Sequence, residues 1–384
     1  MNALFLAFAH LRWTWARSLV LVLVGAVILA VPMVTQTLLR GSEDALTRRA
    51  EATPLVLGAR GSQLDLVMNA VYFSEDRAQP VTRAAEDAVW DSGLALPIPL
   101  HTAFQTNGAR IVGTSLDYFD FRGLQIASGR QLAILGEAVL GAAVADRLGL
   151  GPGDTVVSAP ENLFDLDGVY PLELQITGVL APTGTPDDEA VFTDVKTAWV
   201  IAGIGHGHDD VVTADADGNI VANAAITEFQ RITPENIDSF HFHGDAGDYP
   251  LSAVLIVPND TRSATILRGR YLDPENPLQI TVPDDVVAGL VDRIFRIAAL
   301  LDAVTVIIGV AAMGAIALSL YLAWALRSPE MQTARRLGAG RFVILQLALA
   351  EIVLFLAGTV VLAAALVFAV TSNGDRLVAW ILAL

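Results

Sequence analysis

Residues Leu19–Leu39 read LVLVLVGAVILAVPMVTQTLL, Leu300–Leu326 read LLDAVTVIIGVAAMGAIALSLYLAWAL, and Phe342–Val370 read FVILQLALAEIVLFLAGTVVLAAALVFAV. Each run is long enough to cross a hydrocarbon core as a helix, which takes about 20 residues. One lies near the start and two near the end. The predicted fold is therefore a membrane protein with α-helical transmembrane segments. A large α+β extracytoplasmic domain separates the first from the second.

Composition supports this layout. Hydrophobic residues make up 53% of the 384-residue chain, yet the net charge is −17. Between Arg40 and Arg296 there are 17 Lys and Arg against 37 Asp and Glu, a local balance of −20. The acid is thus confined to the middle. That excludes nucleic acid as a partner, because phosphate binding needs a basic footprint. The chain has no cysteine, so disulfides, thiolate metal sites and cysteine nucleophiles are excluded.

Orientation follows the arginines. Arg12 and Arg17 precede the first run, and Arg327, Arg335, Arg336 and Arg341 fill the short loop between the last two, which places both regions in the cytoplasm. The first run is longer than a secretory signal core, and no clear small-x-small cleavage site follows Ala30, so it reads as an uncleaved anchor. The boundaries read as an interfacial amphipathic helix over 1–17, transmembrane helices over 18–39, 297–326 and 342–370, an extracytoplasmic domain over 40–296, a cytoplasmic helix over 327–341 and a tail over 371–384. Leu377–Leu384 starts a further apolar segment too short to cross, which reads as an interfacial piece or a fourth transmembrane helix cut short. Asp302 and Glu351 are ionisable groups in or near apolar runs, where such residues bond neighbouring helices or relay protons.

Within the middle domain, short apolar runs alternate with turn signals and predict strands at Leu55–Leu57, Ala109–Val112, Thr155–Ser158, Leu172–Val179 and Ala253–Val257. Helical spacing predicts helices at Gln63–Tyr72, Glu137–Leu148 and Arg262–Arg268. Gly203–Asn223, rich in Gly, Asp and His, reads as a mobile loop. Two histidine pairs stand out, His206 with His208 and His241 with His243. On a strand, residues two apart share a face, so each pair offers two imidazoles to a metal such as zinc. No G-x-S-x-G elbow is present, and the chain reads as non-catalytic.

The cytoplasmic loop runs Arg327-Ser328-Pro329-Glu330-Met331-Gln332-Thr333-Ala334-Arg335-Arg336-Leu337-Gly338-Ala339. Ser328 suits an N-cap, Pro329 the first helical position and Gly338 a C-terminal stop. Glu330 and the Arg335–Arg336 pair complement the helix dipole. Glu330-Met331, Arg335, Leu337-Gly338-Ala339 and Arg341 resemble the coupling segment of FtsX-like, MacB-type ABC transporter permeases. Pro54–Ser62 with Leu64-Asp65-Leu66 resembles the start of their periplasmic core domain. Val139–Leu150 with Gly153-Asp154, and Gly178–Asp188, are similar to further segments of it.

The resemblance implies a multi-pass protein of the bacterial inner membrane with its middle domain periplasmic. It implies a permease homodimer in membrane lipid, a separate ABC ATPase subunit that holds ATP and Mg, and a periplasmic or outer-membrane partner. The permease would then couple ATP hydrolysis to transport or to mechanical work outside the membrane. Arg327, Glu330, Met331, Arg335, Arg336, Leu337, Gly338 and Ala339 would form the ATPase contact. The ATPase must be another chain: Lys196 is the only lysine, and Val195 and Thr197 around it do not make a phosphate-binding loop. A second reading is a membrane-anchored periplasmic metal-binding or sensor protein, part of a zinc-handling system.

Overall fold

The computed structural model describes residues 3–74, 79–159, 171–207, 212–214, 220–222, 230–326, 328–336, 338 and 340–372. It divides into two compact units, Ala45–Gly289 and Met1–Asp44 with Leu290–Leu384. Among the described residues three helices are long and apolar enough to cross a membrane, over Trp15–Thr37, Pro283–Ser319 and Phe342–Ser372. The segment Leu377–Leu384 lies outside the described residues.

The helices of the membrane unit meet through small residues. Ala26 and Ala30 of the helix Trp15–Glu51 are buried with Ala363 of the helix Arg341–Ser372. A Cβ at Gly25 would stand 2.9 Å from Thr359 Cγ2. Lipid tails are as apolar as leucine, so close backbone approach and dispersion hold such helices together. A short N-terminal helix, Ala3–Trp13, packs along Arg341–Ser372.

The other unit is built on an eleven-stranded mixed sheet among the described residues. Its order is Gln230–Arg231, Leu172–Leu180, Glu137–Leu140, Ala190–Asp194, Ala109–Thr114, Ala95–Thr106, Ala253–Pro258, Leu55–Ala59 and Leu278–Thr281. Ile126–Gly129 and Thr155–Val157 also pair with Leu172–Leu180. One core gathers Ile111, Leu140, Leu172, Leu174 and Ile176. A second gathers Leu57, Val89, Trp199, Leu251 and Ile256.

Two segments differ from the sequence reading. Glu137–Leu148 is not one helix. Glu137–Leu140 is a strand buried along its whole length between Leu172–Leu180 and Ala190–Asp194, and the helix is Ala142–Leu148. An apolar run this short fits helical spacing and a two-face-buried strand equally, and tertiary burial decides. Gly203–Asn223 is not loop throughout. Gly205–His206 pairs with His241–Phe242, and Val212–Ala214 pairs with Ile220–Ala222.

The longest strand, Ala95–Thr106, contains Pro97 and Pro99. Leu100 directs its carbonyl to the Ala253–Pro258 side, where Ser252 N–H donates at 2.8 Å. Residues of the other parity, the two prolines, therefore point away. Pro99 accepts there from the Thr114 hydroxyl at 2.8 Å. The ladder to Ala109–Thr114 begins only at Leu100, so neither missing N–H leaves a gap in the pairing.

Gly141 joins the Glu137–Leu140 strand to its helix. Its φ of −64° is open to any residue, so the constraint is space. A Cβ there would lie 2.3 Å from the Asp187 carbonyl oxygen and 2.4 Å from that of Asp188. Backbone on that side cannot yield as a flexible side chain would. Gly141→Ala is expected to lower stability by about 3 kcal/mol, read by urea unfolding; a loss within experimental error would contradict this close approach.

Candidate functional site

The helix Trp15–Glu51 ends inside the extracytoplasmic unit, and its last turn is held by Arg49. Arg49 is 6% exposed and Asp187 is 1% exposed. The pairing is bidentate: Arg49 Nη1 donates to Asp187 Oδ2 at 2.5 Å and Nη2 donates to Oδ1 at 2.9 Å. Arg49 Nε donates to the Val71 carbonyl at 2.5 Å, and Nη2 also reaches Tyr118 Oη at 3.1 Å. The Tyr118 hydroxyl donates to Asp187 Oδ1 at 2.7 Å, and the Thr185 hydroxyl to Oδ2 at 2.9 Å. The turn before Asp187 is tied by Asp188, which accepts from the Thr183 and Gly184 amides.

The electrostatics follow from this geometry. Burial pushes the Asp187 carboxyl up, but the hydrogen bonds and charge of Arg49 outweigh it and hold the group below the usual carboxylate range. Burial by itself would lower Arg49; Tyr118 and Asp187 reverse this and raise it. Burial raises Tyr118, which stays a neutral donor. Phe73, Phe119 and Phe192 surround the Tyr118 ring at 5.5–6.4 Å between centroids. A cleft of about 320 Å³ opens beside it, lined by Arg48, Tyr72, Arg122 and Thr185 among others. Burial lowers Arg122, whose guanidinium lies 4.8 Å from the Phe121 ring centroid.

The cytoplasmic motif forms the helix Ser328–Arg336, which carries Glu330, Met331, Arg335 and Arg336. The Arg335 and Arg336 side chains are exposed. Gly338 adopts φ +98°, and its N–H donates to the Arg335 carbonyl at 3.0 Å. That left-handed conformation suits glycine and turns the chain after the helix. Arg327, Leu337 and Ala339 lie outside the described residues. Glu351 Oε1 lies 3.1 Å from His10 Nδ1, which ties the N-terminal helix to Arg341–Ser372. Asp302 Oδ2 accepts from Gln36 Nε2 at 3.4 Å and lines an apolar cavity of about 700 Å³ with Gly25, Pro32 and Thr359.

Three of the four singled-out histidines come together. His206 stands directly opposite His241 on the two-stranded ribbon, and His243, two residues on, shares their face. Ring centroids are 4.6 Å apart for His241–His243, 4.8 Å for His206–His243 and 5.0 Å for His206–His241. His208 lies outside the described residues.

Sequence reasoning singled out neither Tyr118 nor Arg122 and gave Arg49 and Asp187 no joint role. The local signal was the Thr185-Pro186-Asp187 turn, in which the Thr185 hydroxyl caps the Asp187 amide at 3.3 Å. Nothing local to it points to an arginine 138 residues earlier.

Residues 19–232, more than half of the chain, match the MacB-like periplasmic core domain family. No curated protein matches. Among solved structures, the periplasmic region of MacB from Actinobacillus actinomycetemcomitans is similar at 11% identity, covering 62% of this chain and 92% of that one with a TM-score of 0.36. The extracellular domain of the noncanonic ABC-type transporter YknZ from Gram-positive bacteria is similar at 12% identity, covering 59% of this chain and 98% of that one with a TM-score of 0.34. With its family match and its apolar helices, the chain belongs to the MacB-like periplasmic core domain family, as a multi-pass inner-membrane protein of the MacB/FtsX permease type.

Proposed function

We propose that this protein is the non-catalytic permease subunit of an ATP-driven ABC system, working as a homodimer above a separate ATPase that binds ATP and Mg. The observation that carries the reading is the helix Ser328–Arg336, set between two apolar helices and presenting Arg335 and Arg336. A short helix moves as one piece when pushed. Movement at this helix reaches the periplasmic domain through the helix Pro283–Leu326, which continues unbroken out of the apolar run. At the other end of the chain's middle domain, Arg49 in the last turn of the helix Trp15–Glu51 would pass movement to Val71, Tyr118 and Asp187.

The test reconstitutes the full-length protein in nanodiscs with the ABC ATPase that co-purifies with it. Reversing both arginines, Arg335→Glu with Arg336→Glu, is expected to cut permease-dependent ATP hydrolysis at least tenfold while insertion and dimerisation stay normal. Unchanged hydrolysis and unchanged ATPase binding in that variant would remove the coupling role.

A second reading, a membrane-anchored metal-binding or sensor protein in a zinc-handling system, draws on the histidine cluster. Failure of any ATPase to co-purify would favour it.

A further inference from the structure

The ribbon made by Gly205–His206 and His241–Phe242 has two unlike faces. The sequence Phe240-His241-Phe242-His243 alternates strictly, and so does Gly205-His206-Gly207 across from it. On one face the phenylalanines pack inward. Phe242 lies 6.5 Å from Trp199 and 6.2 Å from Tyr249 between centroids, bridging both hydrophobic cores. The glycines make room for them. A Cβ at Gly205 would meet the Phe242 ring at 2.6 Å, and one at Gly207 would meet the Phe240 ring at 2.6 Å. The apolar face therefore fixes the ribbon to the domain, and its other face carries His206, His241 and His243.

We propose that His206, His241 and His243 bind a borderline divalent transition-metal ion, with zinc as its probe. Each offers a ring nitrogen, and these atoms lie within 4.8 Å of one another. A tetrahedral zinc shell with bonds of 2.0–2.1 Å has edges of about 3.3 Å, so the ring nitrogens would have to close by no more than about 1.5 Å. One ring is already oriented. His241 Nδ1 lies 3.1 Å from the Ser239 carbonyl, an acceptor only, which makes Nδ1 the donor there and fixes the ring plane.

The donor set selects the ion. Three neutral imidazoles suit zinc, copper or nickel and do not suit calcium or magnesium, which take oxygen ligands. Among the described residues, three protein ligands leave one tetrahedral position for water or a further donor. Bound metal would also tie His206 to residues 35 or more positions later and stabilise the ribbon by mass action. The site stands independently of the permease reading, since it involves neither the membrane helices nor Ser328–Arg336.

The test uses the full-length protein in detergent without a polyhistidine tag, titrated with zinc by calorimetry. One zinc per chain is expected. The variant His206→Ala with His241→Ala and His243→Ala should lose at least thirtyfold in affinity while its circular dichroism is unchanged. X-ray absorption on the wild type should show nitrogen scatterers at about 2.0–2.1 Å. Hydrogen exchange on the wild type does not depend on any variant folding, and zinc should slow exchange at 205–206 and 241–243. Equal affinity in the triple variant, zinc protection elsewhere only, or equal occupancy by calcium would overturn the proposal.

Discussion

Replacing Arg49 by methionine is expected to lower the unfolding free energy of residues 45–289 by about 3–5 kcal/mol at neutral pH. Removing one partner of a buried ion pair strands the other charge, and Asp187, 1% exposed, has no solvent to turn to. Tyr118 and Thr185 still donate to it, but neither carries charge. The pH dependence gives an independent check. In the wild type the Asp187 carboxyl sits below its ordinary value. Its contribution is therefore complete above the unfolded value of about 4 and fades as pH falls through the lower folded value. In Arg49→Met the main opposition to burial is gone; burial then outweighs the remaining Tyr118 hydrogen bond and Arg122 charge and raises the carboxyl, so protonation relieves the variant. The deficit relative to wild type should shrink in acid. Replacing both partners, Arg49→Met with Asp187→Leu, should recover most of the loss. Urea unfolding of the full-length protein in detergent, with hydrogen exchange over residues 46–52 and 183–189, measures all three. A deficit under about 1 kcal/mol for the single variant would show that the pair contributes no more than a surface one.

His101 sets a second, separate pH dependence. It is 4% exposed, stacks on Phe104 at 5.2 Å, and leaves Nδ1 without a hydrogen-bond partner among the described residues. Burial lowers it from the ordinary 6.5 to about 4. Below pH 6.5 the unfolded imidazole takes up a proton that the folded one refuses until about pH 4, so stability falls as pH falls across that window and is flat above it. The shift from 6.5 to about 4 corresponds to a loss of roughly 3 kcal/mol. His101→Phe, similar in shape and free of the proton, should remove this slope and leave the more acidic Asp187 transition in place. Unfolding curves at half-unit pH steps between 4 and 7 separate the two. An identical slope in the variant would place the titrating group elsewhere.

The membrane spans were readable because a helix in lipid needs uniform apolarity, and no local detail alters that demand. The strands Leu55–Ala59, Leu172–Leu180 and Ala253–Pro258 were readable as short, largely apolar runs set between turn signals. Ala95–Thr106 was not, because two prolines argue against a central strand unless one knows where its neighbour begins. Glu137–Leu140 hid in a run that fits two periods. The histidine spacing was legible, but the structure joins His206 to both members of the other pair, and only the register Gly205 to Phe242 shows that. The Arg49–Asp187 pairing was not legible, since the partners lie 138 residues apart and the Asp187 turn carries nothing that points to Arg49.

Arg49 holds three stretches of chain at once: the Val71 carbonyl, the Tyr118 hydroxyl and the Asp187 carboxylate, which lie 22, 69 and 138 residues away in sequence. It works as a rivet through three plates. Any displacement of that guanidinium is expected to strain its bonds to all three together, so a tug on one would be felt by the others.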